Sequence, residues 1–347
     1  MDEGYQTDAI FFDFRKAFDS VPHCRLLTKV RAYGIGSQIC EWLEDFLSNR
    51  TQYVVLDGEC SSAVRVSSGV PLGSVVGLLL FSIKINDLLD RVDSNVRLFA
   101  DDAVVYGKVS SLSDCRRIQD DLDRICDWCK EWQLTLNIDK CKLMQMNRKK
   151  NPVMFEYSFT SVALDTVTSI KYLGVTLQSD MKWDKHVMAV VGKADSRLRF
   201  IGRILGRCGS SVKGIDYKTL VRPILEYCSS VWDPYQVGLR EDIEAIQRRA
   251  ARFVTGRFDH HASVTEMLQE LGWESLEERR RSFRESLLRK FREPAFEADC
   301  STILLAPTYI SRKDHKDKIR EIRARTEAYR QSFFPRSVWE WNRERRC

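Results

Sequence analysis

Asp101 and Asp102 stand side by side in FADDAVVY (Phe99 to Tyr106), between two apolar runs, and Asp13 lies near the end of a third, AIFFDF (Ala9 to Phe14). Three unpaired carboxylates brought within a few ångströms by sheet pairing would repel and raise one another's pKa, a cost with no structural return. A divalent cation removes that cost. Hard oxygen donors around a site that keeps open positions suit Mg²⁺, which ordinarily takes a few carboxylates together with substrate phosphates. Two such ions roughly 3.5 to 4 Å apart stabilise both the attacking and the leaving oxygen of a phosphoryl displacement. The plainer alternative is that Asp-Asp belongs to an ordinary solvated turn.

Such chemistry needs strands that end at the acids. AIFFDF reads as a compact buried strand, and VPHCRLLTKVRAYG as an amphipathic helix with Pro22 near its start and Gly34 at its stop. VRLFADDAVVYGKV, apolar on both sides of Asp101-Asp102, has the pattern of a hairpin whose tip carries the acids. Between them, Cys40 to Arg50 reads as a short helix and TQYVVLDGECSSAVRVSSGV as two alternating strands around Asp57-Gly58. The Gly69 to Gly73 loop leads into a helix rich in Leu and Ile that ends near Asp90. A helix over Asp114 to Gln133 follows, then the strand-like KCKLMQM and SIKYLGVTL. From about Lys185 the period is 3.6, interrupted at Pro223, Pro234 and Gly272. The expected fold class is α+β: a sheet domain over residues 1–180 and a helical region over 181–347.

With 347 residues, 44% hydrophobic and 30% charged, the chain is that of a globular protein with a full core, and the length suits two domains. Its longest nearly apolar stretch, VVGLLLFSI (Val75 to Ile83), falls short of the ~20 residues of a membrane helix. No basic-apolar leader opens the chain, and the 11 scattered cysteines suit a reducing compartment, so the expectation is an intracellular protein without a membrane partner. Nucleus and cytoplasm are not separated, since NRKK at Asn147 to Lys150 is too short for a nuclear signal. Cys126 and Cys129 have metal-like spacing but sit in a helical pattern with no second pair, which argues against zinc. The net charge is +6, and arginines gather in three runs: Arg248 to Arg257, Arg279 to Arg292 and Arg312 to Arg325. One run alone would be a solvated helix face laced with ion pairs, whereas three in one region point toward nucleic acid, with Arg248, Arg249 and Arg252 as candidate phosphate contacts.

Five stretches occur in a telling order: DFRKAFDSVPH (Asp13 to His23), SGVPLGSVVGLLLFSIKINDL (Ser68 to Leu88), FADD, LTLNIDKCK (Leu134 to Lys142) and YLGVTLQSDMKWDKH (Tyr172 to His186). Together they resemble the palm motifs of non-LTR retrotransposon reverse transcriptases of the jockey-like branch. RPILEYCSSVWDPY, IQRRAARFVTG, LGWESLEERR and YRQSFFPRSVWEWN resemble that family's C-terminal region, so the likeness covers nearly the whole chain. A lone FADD would be weak, but five ordered motifs are specific.

The resemblance implies a polymerase palm, with a ferredoxin-like antiparallel sheet and helices, followed by a helical thumb and C-terminal region. The implied activity is RNA-directed DNA synthesis, in which a dNTP is joined to a primer 3′-hydroxyl on an RNA template. Asp13 and Asp101 would be the main ligands of two Mg²⁺ ions, Mn²⁺ being a substitute, with Asp102 completing the acidic set. Phe18 matches the aromatic gate that occupies the space of a ribose 2′-hydroxyl, although by position it is equally a core aromatic. Lys140 matches a lysine that protonates or steadies the leaving pyrophosphate. Leu72 and Gly73, in GVPLGS, fall at the nucleotide-binding loop, and Tyr172, Leu173 and Gly174 at the primer grip. Trp183 and His186 read most simply as core.

Three departures stand out. Leu72 occupies a position where the family ordinarily has Gln, and Leu cannot hydrogen-bond a nascent base pair; Leu78 replaces a usual Pro. The chain also opens only a dozen residues before Asp13, so the expectation is a truncated polymerase without its fingers and endonuclease segments. The alternative function is therefore a silent relic that only binds nucleic acid. A palm-type nucleotidyl cyclase would share the acids but not the YLGV and LNIDK companions.

Overall fold

The structure is a computed structural model describing residues 2–259, 261–293, 296, 300–310 and 314–344; Arg312, at the head of the third basic run, lies outside the described residues. Residues 3–173 and 174–347 form two compact units. The first is mixed. Strand β1 (Gln6–Asp13) leads to helices α1 (His23–Ala32) and α2 (Ser37–Leu47). Four two-residue strands follow, β2 (Thr51–Gln52), β3 (Val55–Leu56), β4 (Glu59–Cys60) and β5 (Val64–Arg65). Helix α3 (Val75–Ile85), strands β6 (Asn95–Phe99) and β7 (Asp102–Val109), and helix α4 (Leu112–Trp132) come next. The unit closes with β8 (Lys142–Met146), β9 (Ser158–Phe159), β10 (Val162–Ala163), β11 (Asp165–Thr166) and β12 (Ser169–Tyr172).

Five of these strands make one sheet in the order β11-β8-β1-β7-β6, antiparallel except for the β11–β8 edge. Strand β1 is central because it is apolar on both faces. Ile10 and Phe12 face one side, where they join α4 residues Ile118, Leu122, Ile125 and Trp128 in the principal core. By the period of two, Ala9, Phe11 and Asp13 face the other side. Helix α4 is held at its start by a reciprocal cap between Ser111 and Asp114. The region around Asp57-Gly58 departs from the two alternating strands expected of it. The turn forms, with both residues at positive φ (51° and 88°), but the ladders are two residues long and exposed throughout. Alternation without a surface to bury against does not extend a strand.

Two lysines lie inside this unit, an arrangement hidden in the apolar look of α3. Lys29 and Lys84 are 5% and 0% exposed, with their ammonium nitrogens 3.7 and 4.8 Å from the centroid of the Trp132 ring. Lys29 donates to Asp87 and to the Lys84 carbonyl oxygen, whereas the Lys84 nitrogen has no hydrogen-bond partner among the described residues. Burial first, then Lys29 and Arg25, push Lys84 down to about 7. The folded chain therefore holds one proton fewer than the unfolded chain between pH 7 and 10.5, and stability rises with pH across that window. Lys84→Met should remove a slope of about 1.4 kcal/mol per pH unit from the stability profile. Urea unfolding of the wild type and variant from pH 7 to 9.5 checks this, and parallel profiles would refute it.

The second unit follows strand β13 (Val175–Gln178) with helices. These are α5 (Asp184–Ile204), α6 (Ser210–Asp216), α7 (Arg222–Glu226), α8 (Ser229–Trp232), α9 (Val237–Thr255), α10 (Val264–Glu270), α11 (Leu276–Phe291), α12 (Glu327–Arg330) and α13 (Phe333–Glu344). Tyr217, Trp232, Ile243, Ile246 and Ala250 build the core, and Tyr217 stacks on Trp273 at 4.5 Å. His186 is buried there; its Nδ1 accepts the Thr176 amide, and burial holds it below its ordinary pKa, as suits a neutral core histidine.

Part of the expected basic surface is interior. Asp233, which follows α8, receives Arg280 Nε at 2.6 Å and a second hydrogen bond from Arg284, and Arg336 Nη1 lies 3.1 Å away. Arg280 and Arg284 are 0% and 2% exposed. The Arg284 guanidinium also bridges to both Glu340 oxygens at 2.8 Å, and Arg279 pairs with Glu226. The Arg279 to Arg292 run thus supplies buried counter-ions as well as solvated charge.

Candidate active site

Pairing and turn geometry together bring the three aspartates to one end of the sheet. Strands β1 and β7 pair with Asp13 opposite Asp102 and Phe12 opposite Ala103. Strands β6 and β7 pair with Phe99 opposite Asp102, leaving Ala100 and Asp101 as a two-residue connection. Directly opposed residues place their Cβ atoms about 4.5 to 5.5 Å apart, so Asp13 and Asp102 are immediate neighbours and Asp101 is one step along the chain. Ala100 has φ +53°, a left-handed conformation that costs a non-glycine residue roughly 1–2 kcal/mol and that the tight turn imposes.

Asp13 and Asp102 share their sheet face with Phe11 and Val104, opposite the α4 core. The Tyr172 ring packs edge-on against Phe11, with centroids 5.3 Å apart. Burial and the nearby Asp102 charge raise the Tyr172 hydroxyl above its ordinary pKa. Leu173 and Gly174 continue the chain at φ 48° and 82°. Two consecutive positive φ values form a tight reversal in which Leu173 carries strain and Gly174 does not.

Electrostatics distinguish the carboxylates. Partial desolvation, then Asp101, then Asp13 raise the Asp102 pKa, and Lys140 offsets part of the rise. Asp13 is 17% exposed at its side chain and accepts a hydrogen bond from Lys140 Nζ at 2.8 Å. That bond, with the Asp13 charge, raises Lys140 above its ordinary value. The segment carrying Lys140 is tied to the end of β1 through the backbone. Arg15 N donates to Thr135 O at 2.7 Å, Asn137 N donates to Asp13 O at 2.8 Å, and Phe14 bridges to Leu136. Sequence reading singled out Lys140 but not these anchors, whose only trace is the alternation of Leu134, Leu136 and Ile138.

A divalent cation fits the chemistry of this donor set: three carboxylates, mutual repulsion that raises Asp102, and an ammonium already drawn onto Asp13. Among the described residues, no three His, Cys, Asp or Glu side chains stand in a ready metal-holding arrangement. Cys126 and Cys129 are buried within α4, and desolvation pushes the Cys129 thiol up to about 12.

The other singled-out residues are placed as follows. Phe18 is half-buried and stacks on Phe81 at 4.5 Å, while its carbonyl oxygen accepts the Val70 amide. A second tie, from Gly69 N to Val21 O, fastens the Gly69–Ser74 loop to the Phe18 turn. Gly69 is required there: its φ is +88°, and a Cβ would meet the Asp19 carbonyl oxygen at 2.7 Å. Leu72 is 73% exposed, and Gly73 stands in open space at φ +85°. Arg248, Arg249 and Arg252 lie on α9 in the second unit, each with a partner: Glu241, Asp195 and the Asp259 carbonyl oxygen. No helix among the described residues is long and apolar enough to cross a membrane.

Comparison with known proteins agrees with the motif reading. The family described as reverse transcriptase (RNA-dependent DNA polymerase) matches residues 2–177. The probable RNA-directed DNA polymerase from transposon BS of Drosophila melanogaster is 28% identical over 276 residues, covering 73% of this chain and 29% of that protein. The RNA-directed DNA polymerase from mobile element jockey of the same organism is 26% identical, covering 71% of this chain and 28% of that one. The chain thus spans about three tenths of the length of these curated relatives. Among solved structures, apo telomerase from Candida tropicalis overlaps 81% of this chain and 45% of its own, at 12% identity and TM-score 0.43, too loose a match to transfer any residue's role. With half its length matched by one family and the mobile elements BS and jockey among its relatives, this chain belongs to the reverse transcriptase family.

Proposed function

We propose that the first unit is the palm of an RNA-directed DNA polymerase, that the helical unit serves as its thumb and C-terminal region, and that Asp13, Asp101 and Asp102 hold two Mg²⁺ ions. The observation that carries this reading is the register of β1 on β7, which opposes Asp13 to Asp102 with Asp101 in the adjoining turn. Bound there, the ions supply Lewis-acid stabilisation of the attacking and leaving oxygens. The protein's own contribution is rigid placement. The carboxylates sit on strand ends and a two-residue turn, so a primer 3′-hydroxyl and a triphosphate are held without reorganisation at the moment of reaction. Lys140, whose segment is tied to Asp13 through the backbone, would protonate or steady the departing pyrophosphate. The Gly69–Ser74 loop, with Leu72 and Gly73, would face the nucleotide, and the Tyr172–Gly174 turn the primer end. Arg248, Arg249 and Arg252 would contact phosphates and contribute a salt-sensitive, sequence-tolerant term.

Primer extension by the purified chain on poly(rA)/oligo(dT), with and without Mg²⁺, tests the proposal. Metal-dependent extension supports it. A folded chain that binds the duplex in a salt-dependent manner and never extends it would instead be a relic that binds nucleic acid without copying it, a reading favoured by the exposed, non-hydrogen-bonding Leu72.

Phe18 offers a finer test. Its stacking on Phe81 fixes the ring plane, so Phe18→Ala should relax discrimination against ribonucleotides by about tenfold or more. It should also destabilise the unit by roughly 1–3 kcal/mol through lost ring contacts. Single-nucleotide incorporation with paired dNTP and rNTP measures the first effect. Unchanged selectivity would return Phe18 to a purely core role.

A further inference from the structure

We propose that Lys140 is the resident counter-ion of Asp13, a latch that a divalent cation must displace to enter the carboxylate site; this rests on the metal-site reading above. The contact is direct, with Nζ 2.8 Å from Asp13 Oδ2. Its two halves are unequal: the Asp13 side chain is 17% exposed on a strand, and Lys140 is 68% exposed at the end of a flexible arm. The base of that arm is fixed. Asn137 N is bonded to Asp13 O at 2.8 Å, Lys140 N to Asn137 O at 3.0 Å, and the Cys141 thiol to Asn137 O at 3.3 Å, with Cys141 buried. The backbone thus delivers Lys140 to Asp13 while leaving the ammonium free to swing away.

The ammonium and a metal ion compete for the same oxygen, and they differ in charge. One positive charge on an exposed arm makes a weak, readily exchanged pair. Two charges on a compact ion, shared with Asp101 and Asp102, make the stronger partner once those carboxylates gather. While Lys140 is in place, Asp13 has an internal partner and the acidic set is partly neutralised. On displacement, the ammonium is released beside the site, where an incoming triphosphate presents new anionic oxygens. The latch would therefore couple metal entry to the availability of Lys140.

The test is equilibrium Mn²⁺ binding to the full chain at fixed ionic strength, followed by the electron paramagnetic resonance signal of free Mn²⁺. Lys140→Met should tighten binding by about two- to fivefold, the range expected for removing an exposed ion pair. Lys142→Met is the control: it removes one charge two residues away, from a lysine paired with Asp165 at 2.7 Å, and should leave the affinity close to wild type. Equal affinity in wild type and Lys140→Met, or equal tightening in both variants, would overturn the latch while leaving the metal site standing. Saturable binding in none of the three proteins would overturn the metal-site reading itself, and the latch with it.

Discussion

Asp101→Asn should abolish metal-dependent primer extension, with turnover falling by at least about a thousandfold, or ~4 kcal/mol of lost transition-state stabilisation. The substitution is nearly isosteric and sits in the two-residue connection between β6 and β7, so it removes charge without disturbing the register that opposes Asp13 to Asp102. It also removes one of the two carboxylates that raise Asp102, whose pKa should then fall toward the ordinary range. The variant would thus hold one fewer carboxylate while easing the repulsion among those left, so lost turnover could not be ascribed to an unfolded strand end. Thermal unfolding should stay within about 1 kcal/mol of wild type, since the substitution breaks no core contact. Duplex binding in chelator should also be unchanged, because phosphate contacts by arginine need no metal. Three readouts on one variant therefore separate chemistry, folding and binding. Full turnover by Asp101→Asn would refute the assignment of the aspartates as metal holders.

The residues at the sheet end were legible in the sequence for a physical reason. Apolar runs on both sides of Asp101-Asp102 and ahead of Asp13 mark buried strands that end at the acids, and a hairpin with acids at its tip leaves few registers that bury Val104 and Val105. The β11–β8 edge was not legible, because it pairs residues 23 apart in parallel through a segment of two-residue strands. Two buried clusters of charge were not legible for a shared reason: burial of charge depends on partners distant in sequence. Lys84 directly follows the nearly apolar stretch Val75 to Ile83, and its neighbour Lys29 arrives from 55 residues upstream. Arg280 and Arg284 sit in a run that reads as a solvated face, and their carboxylate, Asp233, precedes them by 47 and 51 residues. Periodicity reveals a face. It does not reveal what that face meets.

Asp233 therefore carries the largest stability effect expected in the helical unit. Its side chain is 4% exposed and faces three guanidinium groups, two of them almost wholly buried. Even with Asp233 present, the Nη1 and Nη2 atoms of Arg280 and the Nε atom of Arg284 have no hydrogen-bond partner among the described residues. Asp233→Ala would leave two buried arginines without their shared acceptor, and removing one partner of a buried ion pair costs about 3–5 kcal/mol. Asp233→Asn should cost less, since it keeps one acceptor oxygen. The decisive variant is the combination Asp233→Leu, Arg280→Met and Arg284→Leu, which replaces stranded charge with apolar volume and should recover most of the loss. Urea unfolding of the full chain measures all three. Recovery would show that the carboxylate is needed because the arginines are there. A loss under ~1 kcal/mol for Asp233→Ala would mean that solvent already reaches the guanidinium groups, and that the second basic run is surface after all.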